Sequence, residues 1–134
     1  MRKACRVTRF MTPKRLLLGA MSVGIALIIF WGATADIPPI PKLFSQQDKL
    51  EHVAAFGALT VWLAAFVGPR NWIYAAGIAA LGAVGLELVQ AFFIPTRSGD
   101  LPDLIASLFG VVAASAFIFY ARLMIRSRRT SKPA

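Results

Sequence analysis

The sequence has too few cysteine and histidine residues for a disulfide framework or a common zinc site. It holds one cysteine, Cys5, and one histidine, His52, in 134 residues. A single cysteine forms no internal disulfide, and there is no Cys pair, His pair or His-Glu-x-x-His motif to bind a metal ion. A glycine-rich phosphate loop is also absent. We therefore expect no metal and no cofactor.

Acidic residues are also scarce, at 6 against 15 lysines and arginines, for a net charge of +9. Twelve of the basic residues lie in two terminal segments and one short turn: Arg2, Lys3, Arg6, Arg9, Lys14, Arg15, Arg70, Arg122, Arg126, Arg128, Arg129 and Lys132. Basic residues that flank apolar segments are typical of a membrane protein whose termini stay in the cytoplasm. This distribution argues against a nucleic-acid partner.

What the sequence has instead is long apolar segments. Hydrophobic residues make up 57% of the chain and the mean hydropathy is +0.65, which is typical of a membrane protein rather than a soluble domain of this size. Four segments predict transmembrane helices, at residues 16–32, 50–67, 72–94 and 101–120. The predicted fold is an all-α integral membrane bundle of four helices, residues 16–121, between basic cytoplasmic tails at 1–15 and 122–134.

The first apolar segment has an alternative interpretation as a cleaved secretory signal. A basic region precedes it, and Ala33-Thr34-Ala35 follows it as a small-residue cleavage site. We favour a membrane span, because three more spans follow and the segment exceeds the usual signal core of about 7 to 15 residues.

Turn and helix-start signals separate the four segments. Prolines 38, 39 and 41 predict an extended loop, and residues 68–71 predict a tight turn. Asp48 is expected to begin the second helix, with Glu51 three residues later as in a capping box. Pro95 ends the third helix, and the fourth opens with Asp100 to Asp103. Small residues spaced by four predict close helix packing: Ala20 and Gly24, Ala54 and Ala58, Ala76 and Ala80, and Ala106, Gly110 and Ala114.

The polar residues of the apolar region fall at one end of the predicted bundle. The loops opposite the tails hold only three basic residues, so we expect both termini inside and these loops outside. The candidate site, drawn from three helices and a loop, consists of Asp48, Lys49, His52, Glu87, Gln90, Arg97, Ser98, Asp103 and Ser107.

Glu87 lies among apolar residues and is expected to face inward, either ionised beside His52, Lys49 or Arg97, or protonated. Three interpretations of the cluster stay open: an interhelical latch, a binding pocket and a catalytic site. Nucleophilic catalysis is poorly supported, because Ser98 and Ser107 lack a glycine-flanked elbow and no approach of His52 to either is evident.

Three motifs in order carry a resemblance to a known family. Asp48-Lys49-x-x-His52, Glu87-x-x-Gln90 and Arg97-Ser98-x-x-x-x-Asp103 stand at span ends, and Ser107 and Gly110 follow at helical spacing. This pattern is similar to the VanZ-like family, small bacterial membrane proteins named for an accessory protein of teicoplanin resistance. The similarity covers about residues 36–120. The family commonly has Asn at the place of Ser107.

The resemblance implies a multi-pass protein of the bacterial inner membrane, in contact with the lipid bilayer. We expect its outward-facing cluster to bind or modulate an envelope component, such as a cell-wall precursor or a glycopeptide, and we lean against an enzyme. In this interpretation Arg97 contacts an anionic group, Glu87 and His52 form a buried acid–base pair, and Gln90 orients them. A homo-oligomer is a further possibility. The alternatives are a membrane-embedded hydrolase or transferase acting on a lipid-linked substrate and a structural accessory subunit.

Overall fold

The structure, a computed structural model, describes residues 12–35, 43–94 and 100–130. These residues form four α-helices: α1 (Pro13–Thr34), α2 (Gln47–Val67), α3 (Trp72–Phe93) and α4 (Leu101–Thr130). Each helix is long and apolar enough to cross a membrane. The prediction of an all-α bundle with four membrane-spanning helices is confirmed, and the chain is a multi-pass membrane protein.

Helix α4 is the element whose end differs most from the prediction. It continues to Thr130, about three turns beyond the predicted end of the span near Tyr120. No glycine or proline interrupts residues 121–130. A helix of 30 residues is about 45 Å long, whereas the hydrocarbon core is about 30 Å thick, so α4 is longer than one crossing requires.

The capping box predicted at the start of α2 is wrong. The N-cap is Gln46, with no side-chain cap hydrogen bond among the residues that the structure describes, and Asp48 lies inside the first helical turn. Glu51 accepts a hydrogen bond from the side-chain amide of Gln47 (2.9 Å), whose oxygen in turn accepts the backbone N–H of Leu43 (2.9 Å). A glutamine therefore organises this helix start.

The predicted tight turn between α2 and α3 is present. Gly68 has φ of 94°, a conformation that side-chain-bearing residues rarely adopt, and its N–H donates to the carbonyl of Ala64. A single 3₁₀ turn, Pro69–Asn71, leads directly into α3. So short a connection makes α2 and α3 antiparallel neighbours.

Helix α2 is the centre of the bundle and contacts the other three helices. The core consists of Phe56, Leu59, Ala79, Ala83, Leu86 and Val111. Helices α2 and α4 approach each other closely, because Gly110 lies against the backbone of Val53 and Gly57 faces the Gly110 carbonyl. Ala106 and Ala114 are buried on the same face of α4, as the small-residue spacing predicts, whereas Ala54 and Ala58 are exposed.

Candidate functional site

The polar side chains of the candidate site lie where three helix termini meet. His52 stands in the second turn of α2, Glu87 and Gln90 in the last two turns of α3, and Asp103 and Ser107 in the first two turns of α4. Because α3 runs opposite to α2 and α4, its end lies beside their starts. The fold therefore places these five residues at one end of the bundle.

His52 is held by α4. Its Nδ1 lies 3.0 Å from the Ser107 hydroxyl, and its Nε2 lies 3.8 Å from Oδ2 of Asp103. The first distance is a hydrogen bond, whereas the second is too long for one. The Ser107 hydroxyl also donates to the backbone carbonyl of Asp103 (2.9 Å). Ser107 therefore connects α2 to the first turn of α4.

Glu87 is buried, with 8% of its surface exposed, and only one of its carboxylate oxygens has a partner among the described residues. Oε2 accepts the backbone N–H of Asp100 (3.0 Å), the residue that precedes α4. Oε1 is buried and has no hydrogen-bond partner in the described part of the chain. A buried carboxylate oxygen is costly to leave without a donor, so this atom is the exceptional feature of the site.

The expected partners of Glu87 differ from those found. Within the described ranges no ion pair joins Glu87 to Lys49 or His52, and the imidazole instead faces Ser107 and Asp103. His52 and Asp103 lie near Glu87 without such a bond. Among the described residues, Glu87 and His52 therefore do not form the direct acid–base pair that the sequence predicts.

Gln90 bonds to α1, whereas the sequence predicts that it orients Glu87 and His52. Its amide nitrogen donates to the backbone carbonyl of Ala33 (3.0 Å), in the last turn of α1. The final carbonyls of a helix have no partner inside the helix, so this bond satisfies one of them. Gln90, 6% exposed, therefore ties α3 to α1.

The remaining predicted site residues are at the edge of the described region or beyond it. Asp48 and Lys49 are half-buried in the first turn of α2. Arg97 and Ser98 lie outside the described residues, so the predicted contact of Arg97 with an anionic ligand is a prediction without structural description.

Two contacts of the site were missed in the sequence, because both use backbone groups. The N–H of Asp100 and the carbonyl of Ala33 carry no residue-type signal. A helix-terminal carbonyl facing a buried glutamine is predictable only when the packing of α1 against α3 is known.

The chemistry open to the cluster is limited by burial. Asp103, His52 and Ser107 stand in the order of an acid–base–nucleophile triad, but Ser107 is only 1% exposed and its hydroxyl donates to a helix carbonyl. A substrate has no access to that oxygen. Among residues 12–35, 43–94 and 100–130, no group of three His, Cys, Asp or Glu side chains is arranged to hold a metal ion.

Comparison with known proteins identifies no relative of this chain. No protein-family model, curated protein or solved structure matches the chain.

Proposed function

We propose that this protein is a VanZ-like protein of the bacterial inner membrane that binds or modulates a component of the cell envelope. The polar cluster faces outward in this proposal, and its activity lowers the sensitivity of the cell to a teicoplanin-type glycopeptide. The support is the order and spacing of the motifs around His52, Glu87 and Asp103. No relative found by comparison supports it.

The observation that carries a binding role is the buried carboxylate of Glu87 with one oxygen lacking a partner in the described residues. Ionisable groups inside membrane proteins are costly and most often mark a functional pathway or site. His52 and Asp103 beside it have side chains that are 18% and 25% exposed, so part of the cluster is open to a ligand. Arg97, outside the described residues, is proposed to contact an anionic group of the same component.

The test is Glu87→Gln in a bacterium that depends on this protein for glycopeptide resistance. The amide oxygen still accepts the N–H of Asp100, so the protein is expected to fold and insert, whereas the carboxylate charge is lost. We expect resistance to fall to the level of cells without the protein.

Glu51→Gln is the matched control. Glu51 lies at the same end of the bundle but is exposed and hydrogen-bonded to Gln47 within its own helix. It is expected to leave resistance unchanged. Full resistance with a normally inserted Glu87→Gln protein would contradict the proposed role of the site.

A structural accessory role is the second candidate, and three hydrogen bonds favour it. His52 to Ser107, Gln90 to Ala33, and Asp100 to Glu87 each join different parts of the bundle, as an interhelical latch does. In that case Glu87→Gln lowers the thermal stability in detergent and the amount of inserted protein, and resistance falls only in proportion to that amount.

A membrane-embedded hydrolase or transferase is the third candidate, favoured by the position of His52 beside Asp103. With Ser107 buried, His52 would act as a general base on water or on an acceptor hydroxyl. Turnover of a lipid-linked wall precursor by the purified protein, abolished by His52→Ala, is the result that this candidate requires.

A further inference from the structure

Carboxyl groups outnumber basic groups immediately around His52. Glu87, Asp100 and Asp103 lie close to one another there, with His52 as the basic side chain among them. Glu87 adds a separate observation, because it is more than nine-tenths buried and its Oε1 has no donor in the described ranges. Both features call for a ligand that brings hydrogen-bond donors and positive charge.

The hydrogen bonds of Ser107 indicate which nitrogen of His52 is free. A serine hydroxyl has one hydrogen, and here it points to the Asp103 carbonyl at 2.9 Å. The remaining lone pairs of Oγ then accept from Nδ1–H of His52 at 3.0 Å. In the neutral imidazole this leaves Nε2 as an acceptor.

Two acceptors consequently face each other across a short gap. Nε2 of His52 and Oδ2 of Asp103 are 3.8 Å apart, too far for a direct hydrogen bond. A nitrogen placed between them can lie about 2.8 Å from both, the usual length of a charge-assisted N–H···O bond. Both side chains are partly exposed, whereas Glu87 is buried.

We infer that the polar end of the bundle binds a primary ammonium group between His52 Nε2 and Asp103 Oδ2, beside the carboxyl group of Glu87. Two N–H groups of the ammonium donate to these atoms. The inference deepens the proposed function and rests on it, because it names the chemical group of the envelope component that the site recognises. A primary ammonium occurs in a zwitterionic lipid headgroup and in the amino groups of peptide or glycopeptide molecules, and the site chemistry is the same for each.

The single histidine makes the test direct. Protein labelled with ¹⁵N-histidine, in nanodiscs of phosphatidylcholine and phosphatidylglycerol at neutral pH, gives imidazole ¹⁵N signals from His52 alone. Ethylammonium chloride is titrated in, with tetramethylammonium chloride as a cation of equal charge that has no N–H donor. We expect an unprotonated Nε2 signal before titration and a shift of this signal with ethylammonium only.

Two variants and a control relate the shift to the site. Asp103→Asn is expected to weaken ethylammonium binding about tenfold or more, as the loss of one charge-assisted contact requires. Glu87→Gln removes a neighbouring acidic group without a direct contact, and we expect it to weaken binding by a smaller factor. Glu51→Gln, an exposed carboxylate at the same end, is expected to leave the affinity unchanged. Circular dichroism checks that each variant retains its helix content, and either site variant suffices if the other does not fold.

Two results overturn the inference. One is an Nε2 that is protonated before any amine is added, which would mean a direct ion pair between His52 and Asp103. The other is a shift produced equally by both cations or by neither. Both leave the glycopeptide test of Glu87→Gln unaffected, so failure of this inference is distinguishable from failure of the proposed function.

A change of lipid distinguishes the two sources of the ammonium group. Replacing phosphatidylcholine by phosphatidylethanolamine, without ethylammonium, shifts the Nε2 signal if the site takes a lipid headgroup. If only the added amine shifts the signal, the natural ligand carries its ammonium on a molecule other than the lipid.

Discussion

At the scale of single residues, Ser107 joins two helices. Its hydroxyl oxygen lies within hydrogen-bond distance of His52 on α2 and of the Asp103 carbonyl on its own helix. Asn, which the proposed resemblance to VanZ-like proteins leads us to expect at this place, is larger and carries both a donor and an acceptor. The serine makes the interhelical contact by itself in a position that is 1% exposed.

Ser107→Ala is expected to destabilise the bundle by about 1 kcal/mol, because Nδ1 of His52 loses its buried partner. The measurement is thermal unfolding in detergent, followed by circular dichroism. The ¹⁵N signals of His52 should also change, because no hydroxyl then selects Nδ1–H.

Ser115→Ala is the matched control on the same helix. The Ser115 hydroxyl is buried and has no hydrogen-bond partner within the described ranges, so its removal is expected to leave stability unchanged or slightly higher. Equal losses of stability for the two variants would contradict the connecting role of Ser107.

The residue types of the site were predictable, but their pairing was not. A buried glutamate at the end of an apolar span must face the bundle interior, and Glu87 is buried. Which groups meet it depends on helix rotation and on the path of the chain before α4. The resulting contact is to the N–H of Asp100, a donor that every residue except proline carries.

At the scale of helices, α4 lies directly against the backbone of α2 where Gly110 meets Val53. A Cβ atom at Gly110 would overlap the Val53 carbonyl oxygen and lie 3.0 Å from its Cα. Both partners are backbone, so neither can turn aside as a side chain does. Close approach of helices through small residues is a principal means of packing in lipid.

Gly110→Ala is therefore expected to destabilise the protein by about 1 to 3 kcal/mol, the usual cost of overpacking a well-packed contact. It should separate the starts of α2 and α4 and lengthen the contact between His52 and Ser107. The thermal midpoint in detergent and the ¹⁵N signals of His52 measure the two effects.

Gly77→Ala controls for the helix propensity of alanine. No described residue has an atom within 4 Å of a Cβ built at Gly77, so this substitution is expected to be neutral or slightly stabilising. A Gly110→Ala protein as stable as Gly77→Ala would show that the two helices move apart without cost.

Small-residue spacing in the sequence was a partial guide to this packing. Ala106, Gly110 and Ala114 do form the packed face of α4, yet Ala54 and Ala58, equally spaced on α2, are exposed. Spacing defines a face of a helix, whereas the neighbouring helices decide which face is covered.

At the scale of the whole molecule, charge is divided between the two ends. The described acidic side chains lie near the end formed by the starts of α2 and α4, whereas Lys14, Arg15 and Arg70 lie at the opposite end, with the arginines of α4 beyond Tyr120. In a membrane such a division predicts orientation, with the basic end in the cytoplasm.

Cysteine accessibility measures this orientation. On a Cys5→Ser background, single cysteines replace Lys42, Arg70, Arg97 and Lys132 in intact cells treated with a thiol reagent that does not cross the inner membrane. We expect labelling at positions 42 and 97 only. Labelling at 70 and 132 would turn the polar cluster toward the cytoplasm and exclude an outer-leaflet ligand, leaving the latch as the favoured role.

The sequence by itself determined the fold class, the approximate spans and the end of the bundle at which the polar residues gather. The length of each apolar segment and the turn residues between segments act locally, so these properties follow from the order of residues along the chain. Tertiary structure decided that Ser107 holds His52, that Gln90 caps α1 and that one oxygen of Glu87 is left without a described partner. Those outcomes depend on the rotation and spacing of four helices, and for α2 and α4 the backbone contact at Gly110 limits both.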